Sequence, residues 1–586
     1  MSSSGGRAFD WNIFRRLYGQ SKPYKRSFTI TAILVLVIAL ISPVRPEQMR
    51  EIIDVQVPAK NYSGVLLYAL WFIAFIILEA ILQYYQALLA NTVAQSITLD
   101  LRSQLYRHIL KFKLAYYDRT PVGQFVTRLI SDIDGIAEVF SVGLLDIGRD
   151  ILKLIVIIGF MLWLDWKMAL IVMLPIPLLL YATRIFQQAV KKSFNDVRNE
   201  VSRINVFIQE HVTGMNIVQI FNREKKEKEK FVQINKEHRN AHIRGIWAYS
   251  VFFPVVELLS AMSISLMIWW GLHDVMSSSI TPGLLLEFST FVTMMYRPIR
   301  QMADNFNVLQ MGVVNAERVF KVFDTDEKVI EAGVVDEKIY GHIEFKKVWF
   351  AYKEEQWVLR DIDLEIPQGK MTAVVGATGA GKSSLAGLIN RFYEVNAGEI
   401  LIDGVVHTHF SLDALRRAIS LVLQDVYLFN DSIFNNIRLY NEAISDDEII
   451  LASKEIGTHD FIMQLPGNYS FKVGERGALL SVGQRQLISF VRAYVHKPSV
   501  LILDEATSSV DTASELLIQK ATEKITSGRT SLVIAHRLST IRAAHQIVVM
   551  EEGRIIEKGN HKELMQKNGH YKKLFDLQFS DLSILE

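Results

Sequence analysis

The sequence contains no cysteine, which excludes disulfides and thiolate metal sites and says nothing about compartment. Charge of one sign is also missing. Lys and Arg number 64 against 62 Asp and Glu, a net charge of +2, so there is no electrostatic footprint of a nucleic-acid binder. Residues 341–586 lack any long apolar run and read as an ordinary soluble α/β domain; the long runs are gathered in the first 320 residues. The N-terminus, Met1 to Ser27, lacks a small-residue cleavage site behind a short apolar core, so it does not read as a cleaved signal peptide. It carries Arg7, Arg15, Arg16, Lys22, Lys25 and Arg26 against Asp10, and the apolar span that follows argues for a membrane anchor. A chain of 586 residues is too long for one core, so at least two domains are expected.

A membrane-spanning helix needs about 20 mainly apolar residues. Six segments qualify, at roughly 27–45, 64–90, 140–163, 167–186, 246–270 and 283–303. Trp163, Trp166, Trp269 and Trp270 stand at span ends, where amphipathic rings favour the headgroup layer. Pro175 and Pro177 fall inside the fourth span, where neighbouring helices tolerate a kink. The tail at residues 1–26 is basic, as are the connections between spans 2 and 3 (Arg102, Arg107, Lys111, Lys113, Arg119, Arg128) and spans 4 and 5 (Lys191, Lys192, Lys225, Lys226, Lys228, Lys230), whereas His273 to Pro282 has neither Lys nor Arg. The positive-inside rule therefore puts both termini and both long connections in the cytoplasm. In those connections, Leu99 to Lys113 and Asn195 to Gln219 have helical apolar spacing, with turns at Tyr117–Gly123 and from Val212 to Glu224. The charged run Glu224 to Lys230 reads as a solvated helical face.

Charges inside spans are costly. Glu79, Glu257, Glu287 and Arg297 lie in spans 2, 5 and 6. A cavity lined by the acids would suit a cationic or amphipathic substrate; the alternative is that each pairs with another helix or snorkels. Asp146, Arg149, Asp150 and Lys153 are spaced for i, i+3 and i, i+4 pairing and read as structural.

Residues 324–340 are charged and aperiodic, which suits a linker. A strand pattern then begins at Gly341, with Tyr352 before a second strand, Trp357 to Ile366. Gly376, Ala377, Thr378, Gly379, Ala380, Gly381, Lys382 and Ser383 complete the pattern G-x-x-x-x-G-K-[ST], followed by Ser384. The motif follows the apolar strand Met371 to Val375 and opens a helix expected over Ser383 to Phe392, the context it requires. Its backbone N–H groups and helix N-terminus suit phosphates. Lys382 suits β/γ oxygens and the Ser383 hydroxyl suits Mg²⁺. Asp504, ending the apolar strand Val500 to Leu503, can hold the metal shell, and Glu505 beside it can polarise an attacking water.

Ser481, Gly483 and Gln484, in Leu480-Ser481-Val482-Gly483-Gln484, match the signature motif of ABC ATPases. The order phosphate loop, Gln424, signature, Asp504-Glu505, His536 resembles that family over residues 341–580. With the six spans, the chain resembles an ABC exporter half-transporter of the lipid-flippase and multidrug-exporter type. The resemblance implies a membrane all-α domain at 27–323 with long intracellular helical extensions, then an α/β P-loop ATPase at 341–586. It implies that Tyr352 stacks on adenine, Gln424 links γ-phosphate and Mg²⁺ to the coupling helices at the loop tips, Ser481 meets an ATP held by a partner, Asp511 belongs to the D-loop and His536 contacts γ-phosphate. Glu505, His536 and Gln424 are then the catalytic set, and Ser383, Gln424 and Asp504 the Mg²⁺ set. Val482 departs from the pattern, which usually has Gly there. The implied activity is ATP-driven export or flipping of a hydrophobic or amphipathic substrate (lipid, drug or peptide) across the plasma (inner) membrane. One engine per chain implies a dimer with a second half-transporter, a homodimer as the simpler case and a heterodimer as the other. A membrane ATPase acting as sensor or regulator is the competing reading.

Overall fold

The computed structural model of the chain describes residues 11–276, 280–329, 333–353, 355–504, 512–535 and 537–579. It divides into two compact units, one of residues Met1–Leu110 and Val122–Asp326, the other of Lys111–Pro121 and Glu327–Glu586.

The first unit is helical. It comprises α1 (Trp11–Gly19), α2 (Lys25–Ile41), α3 (Val44–Glu51), α4 (Tyr62–Ile109), and, after the loop tip, α6 (Val122–Thr127), α7 (Ile133–Glu138), α8 (Leu145–Leu164), α9 (Trp166–Met173), α10 (Ile176–Thr213), α11 (Met215–Ile220), α12 (Glu224–Met276) and α13 (Pro282–Phe323); α5 (Leu114–Arg119) belongs to the second unit. Four stretches among the described residues are long and apolar enough to cross a membrane: Lys22–Gln56, Tyr62–Ile109, Trp166–Thr213 and Glu224–Leu272. The remaining two expected spans lie in α8 and α13, which carry Asp146, Arg149, Asp150 and Lys153, and Glu287 and Arg297. Val139–Leu144, at the start of the expected third span, forms a π-helical turn that leads into α8. The fourth is broken where its prolines predict. Helix α9 ends at Met173 and α10 starts at Ile176 with Pro175 as N-cap, because a proline nitrogen cannot donate into the preceding turn. The connections expected to continue the spans as helices do so, to Ile109 in α4 and Thr213 in α10.

The acids in the spans are paired rather than grouped. Arg45 reaches Glu79 at 3.0 Å and Arg50 reaches Glu287 at 3.1 Å, while Glu257 is exposed on α12. Arg149 contacts Asp146 at 3.1 Å, the i, i+3 pairing expected from spacing, and also its chain neighbour Asp150 at 3.4 Å. A cavity of about 480 Å³ opens among α2, α4, α8 and α13, with Arg45, Arg149, Lys153 and Arg297 facing Glu79 and Asp150. Four basic groups against two acidic ones correct the expectation of an acid-lined cavity. The segment after α2, which supplies Arg45, carries no sequence signal of its direction. At the cytoplasmic end expected for α1, Arg16 forks onto Asp324 with two bonds of 2.7 Å and lies 4.3 Å over the Phe320 ring, pinning α1 to the end of α13.

In the second unit, four described strands form an antiparallel sheet in the order β2 (Trp357–Ile366), β1 (Ile343–Ala351), β4 (Ala397–Ile402), β5 (Val405–Val406). Six more strands form the order β10 (Arg554–Gly559), β9 (Gln546–Glu551), β3 (Met371–Gly376), β8 (Thr530–Ile534), β7 (Val500–Asp504), β6 (Ile419–Val422). Strands β3, β6, β7, β8 and β9 run parallel, so their carboxyl ends share an edge, where open α/β sheets take ligands. Two apolar clusters pack on this sheet, one centred on Val374, Leu388 and Ile502, the other on Leu487, Val491 and Leu501. The chain enters β1 through a clasp: the Asp403 carboxylate accepts the N–H groups of Tyr340, Gly341 and His342 at 2.6, 3.1 and 2.8 Å.

The first loop tip is held by this unit. Phe112 bridges to Lys328, the Lys113 N–H donates to the Glu327 carbonyl at 2.8 Å, and Arg119 meets Glu327 at 3.2 Å. The turn expected at Tyr117–Gly123 is thus the end of α5, then Thr120-Pro121, then the start of α6.

Candidate functional site

The phosphate loop runs from the end of β3 into α14 (Lys382–Ile389). The helix is shorter than the expected Ser383 to Phe392, since Arg391 turns into a positive φ of 52°. The loop's shape is set by backbone angles that side chains resist: Gly376, Gly379 and Gly381 have φ of 155°, 85° and 96°. At Gly376 a Cβ would meet the Met550 carbonyl oxygen at 2.2 Å, so only glycine lets β3 pass β9 this closely.

Lys382 curls back over the loop, its Nζ donating to the Gly376 and Ala377 carbonyls at 2.8 and 3.0 Å. Burial holds it below the ordinary lysine range, with Asp504 pulling the other way. Such an ammonium gains from an incoming anion. The Ser383 hydroxyl donates to Asp504 Oδ2 at 3.0 Å. A hydroxyl and a carboxylate converging beside a phosphate cradle are hard oxygen donors that fit Mg²⁺, which takes few protein ligands when phosphates supply the rest. Gln424 lies exposed two residues beyond β6; no contact joins it to Ser383 or Asp504. Tyr352 is 51% exposed, which disposes of a core role, and its hydroxyl hydrogen-bonds the Ser384 hydroxyl at 3.0 Å. An open aromatic face beside the loop can take a base by stacking.

Ser481 caps α19 (Val482–Val495), the fourth helix of the insertion between β6 and β7, after α16 (Ile433–Arg438), α17 (Asp446–Ile456) and α18 (His459–Met463); α15 (Leu412–Ala418) precedes β6. It forms a capping box with Gln484: Ser481 Oγ accepts from the Gln484 N–H at 3.2 Å, and Gln484 Oε1 accepts from the Ser481 N–H at 3.0 Å. Free N–H groups of this first turn offer an anion site. Gly483 is buried in the same turn. Val482 is 46% exposed and lines a cavity of about 370 Å³ with Gln424, Tyr427, Arg476 and Arg485. Its side chain points away from the packed core, so its bulk does not strain the turn. No sequence pattern singled out Arg492. This half-buried side chain of α19 donates to the Asn436 carbonyl at 2.8 Å and to the Tyr427 carbonyl at 3.3 and 3.4 Å, and desolvation brings it down to about 10. It ties the signature helix to the segment that carries Gln424.

The structure therefore brings together the loop at Gly376–Ser384, Tyr352 and Asp504. It leaves Gln424 and Ser481 on the helical side of the same unit. Glu505, Asp511 and His536 lie outside the described residues.

Comparison with known proteins agrees with this arrangement. Residues 28–299 match the family model of the ABC transporter transmembrane region and residues 359–508 match that of the ABC transporter. The chain is 33% identical over 581 residues to the uncharacterized ABC transporter ATP-binding protein YknV of Bacillus subtilis, covering 98% of this chain and 96% of that one. It is 34% identical over 581 residues to an ATP-dependent lipid A-core flippase of Syntrophus aciditrophicus, with 98% and 96% covered. It is 33% identical over 575 residues to the putative multidrug export ATP-binding/permease protein YgaD of Bacillus subtilis, with 97% and 99% covered. A membrane-spanning helical region fused to an ATPase whose hydrolysis is coupled to transport places this chain in the ABC transporter family, among the exporter half-transporters.

Proposed function

We propose that two copies of this chain form an ATP-driven exporter or flippase for an amphipathic substrate in the plasma (inner) membrane, with both termini and the ATPase domain cytoplasmic. The observation that carries the reading is the split of the site between different elements: a phosphate cradle with its Ser383–Asp504 pair at the ends of β3 and β7, and a capped helix N-terminus at Ser481 on α19, with no hydrogen bond between the two among the described residues. Each half lacks what the other offers, which a second subunit supplies. The Gly376–Ser384 loop would hold the phosphates of ATP, Tyr352 its adenine, and the partner subunit's Ser481 the γ-phosphate. Ser383, Asp504 and Gln424 would hold Mg²⁺, which offsets charge building on the phosphate oxygens. Glu505 would orient and polarise the attacking water, His536 would contact γ-phosphate, and Asp511 would lie at the subunit junction. Clamping and release of ATP would bias the transmembrane unit between inward and outward states.

The substrate class follows from the cavity in the first unit. Ile38, Ile76 and Met294 share its lining with four basic groups, Arg45, Arg149, Lys153 and Arg297, against two acidic ones, Glu79 and Asp150, and this net positive, part-apolar lining suits a molecule with an apolar body and a polar, anionic head, a class that embraces the lipid of the flippases and some drugs. The test is translocation in proteoliposomes of a fluorescent anionic phospholipid against its zwitterionic counterpart. ATP-dependent movement favouring the anionic lipid supports the reading; no ATP-dependent movement of either opposes it.

A further inference from the structure

One aromatic residue that no sequence pattern singled out stands between the candidate nucleotide site and the first loop tip. Tyr393 follows α14 on the turn beyond Arg391. Its hydroxyl donates to the Asp118 carboxylate at 2.5 Å, at the end of α5. Its ring stands perpendicular to that of Tyr352, with centroids 5.0 Å apart, and both rings pack on Phe350 at 5.7 and 4.8 Å. Tyr352 in turn holds the Ser384 hydroxyl. An unbroken run of contacts therefore leads from the phosphate-loop helix through Tyr352 and Tyr393 to Asp118. Burial first, and then the Asp118 carboxylate, push the Tyr393 hydroxyl above its ordinary range, so it remains a donor throughout the working pH range. Beside these residues lies a cavity of about 360 Å³, lined also by Lys113, Arg119 and Arg391.

We propose that Tyr393 is a positioning residue which transmits the state of the nucleotide-contacting Tyr352 to the first loop tip through its hydroxyl bond to Asp118. This rests on the functional reading above. A base stacked on the open face of Tyr352 would fix that ring, the ring would fix Tyr393, and the hydroxyl would hold Asp118, which is continuous in the chain with α5 and the helices on either side. The coupling is reciprocal, since whatever the tip does for Tyr352, nucleotide must do for the tip.

The test uses the full chain in nanodiscs. The absence of cysteine makes Tyr62→Cys, at an 86% exposed site opening α4, a unique spin-label position. The distance between labels on the two copies reports the ATP-driven change. In Tyr393→Phe, which keeps the ring, basal kcat and the thermal midpoint should stay within about twofold and about 2 °C, while the equilibrium constant for the ATP-driven change falls about three- to tenfold, as for loss of a part-exposed charged hydrogen bond. Asp118→Asn should give the same fall, the double variant no more than either alone, and Asp118→Glu should restore part of it. A Tyr393→Phe distance distribution equal to that of the parent overturns the proposal, and so does a joint loss of hydrolysis and thermal midpoint, which marks a merely structural role. A parent protein that hydrolyses ATP without any ATP-driven distance change overturns the transport reading and this inference with it.

Discussion

Replacing glycines of the phosphate loop by alanine should damage the protein in an order set by local geometry rather than by motif membership. Gly376, Gly381 and Gly379 all have positive φ, which costs an L-residue about 1–2 kcal/mol. Their surroundings differ. At Gly376 the new Cβ would sit 2.2 Å from the Met550 carbonyl oxygen, in a position where β3 and β9 are paired in register. Neither strand can yield without breaking the central sheet, so a further 1–3 kcal/mol is expected, roughly the cost of overpacking. At Gly381 the nearest atom is Leu359 Cδ2 at 2.7 Å, a side-chain end that can turn aside, with the Val358 carbonyl at 3.0 Å as the stiffer limit. At Gly379 nothing lies within 4 Å, and the φ cost is partly offset by about 0.4–1 kcal/mol from a stiffer unfolded chain. A domain of this size shifts by about 2–4 °C per kcal/mol. The nucleotide-free thermal midpoint should then fall by about 5–15 °C in Gly376→Ala and by about 2–4 °C in Gly379→Ala, with Gly381→Ala between. Measuring without nucleotide matters, because all three should impair ATP binding alike. Equal midpoints for Gly376→Ala and Gly379→Ala would refute the reasoning, since the Met550 contact is the only large difference between them.

Other outcomes follow from single side chains. His407 is 1% exposed with Nδ1 donating to the Ile400 carbonyl at 3.2 Å, and burial, then Arg391, hold it down to about 4. It is therefore neutral when folded, whereas the unfolded chain takes up a proton below about pH 6.5. Stability is full above that pH and is lost as pH falls toward 4, by about 1.4 kcal/mol per unit; thermal midpoints from pH 7.5 to 4.5 should decline in the parent and flatten in His407→Gln. Ser481→Ala should cost about 1 kcal/mol through loss of the α19 cap but abolish ATPase activity far beyond that, whereas Val482→Gly should leave activity within a few-fold because the Val482 side chain lines open space. Arg45→Met should lower the folded yield by leaving Glu79 buried and unpaired at 5% exposure, and Arg45→Met with Glu79→Gln should recover it, as expected when a buried pair is removed whole rather than halved.

What was legible in the sequence is what local signals carry. The phosphate loop declares itself because glycine spacing, strand and helix start are all contiguous, and the structure adds only the Ser383–Asp504 contact across 121 residues of chain. Spans are read from hydropathy, and the break at Pro175 from covalent chemistry. The sign of the cavity was not legible. Glu79 stands out in an apolar run, but Arg45, its partner, sits in a polar segment where a basic residue attracts no notice, and helix rotation decides whether Arg149, Lys153 and Arg297 face inward. Nor was the attachment of Lys111–Pro121 to the ATPase unit, which depends on contacts from Phe112 and Asp118 to residues more than 200 positions away. Tyr393 and Arg492 were invisible for the same reason: each acts through backbone or side-chain groups brought together only by folding.

The central claim is that this chain, paired with itself, hydrolyses ATP at a site whose base is Glu505. Its most direct test is ATPase activity of the purified chain in nanodiscs, parent against Glu505→Gln, with binding of a fluorescent ATP analogue followed in both. Robust activity in the parent, loss of hydrolysis in Glu505→Gln and retained nucleotide binding in both are expected. Hydrolysis undiminished in Glu505→Gln, or a parent that binds ATP and does not turn it over, would contradict the claim.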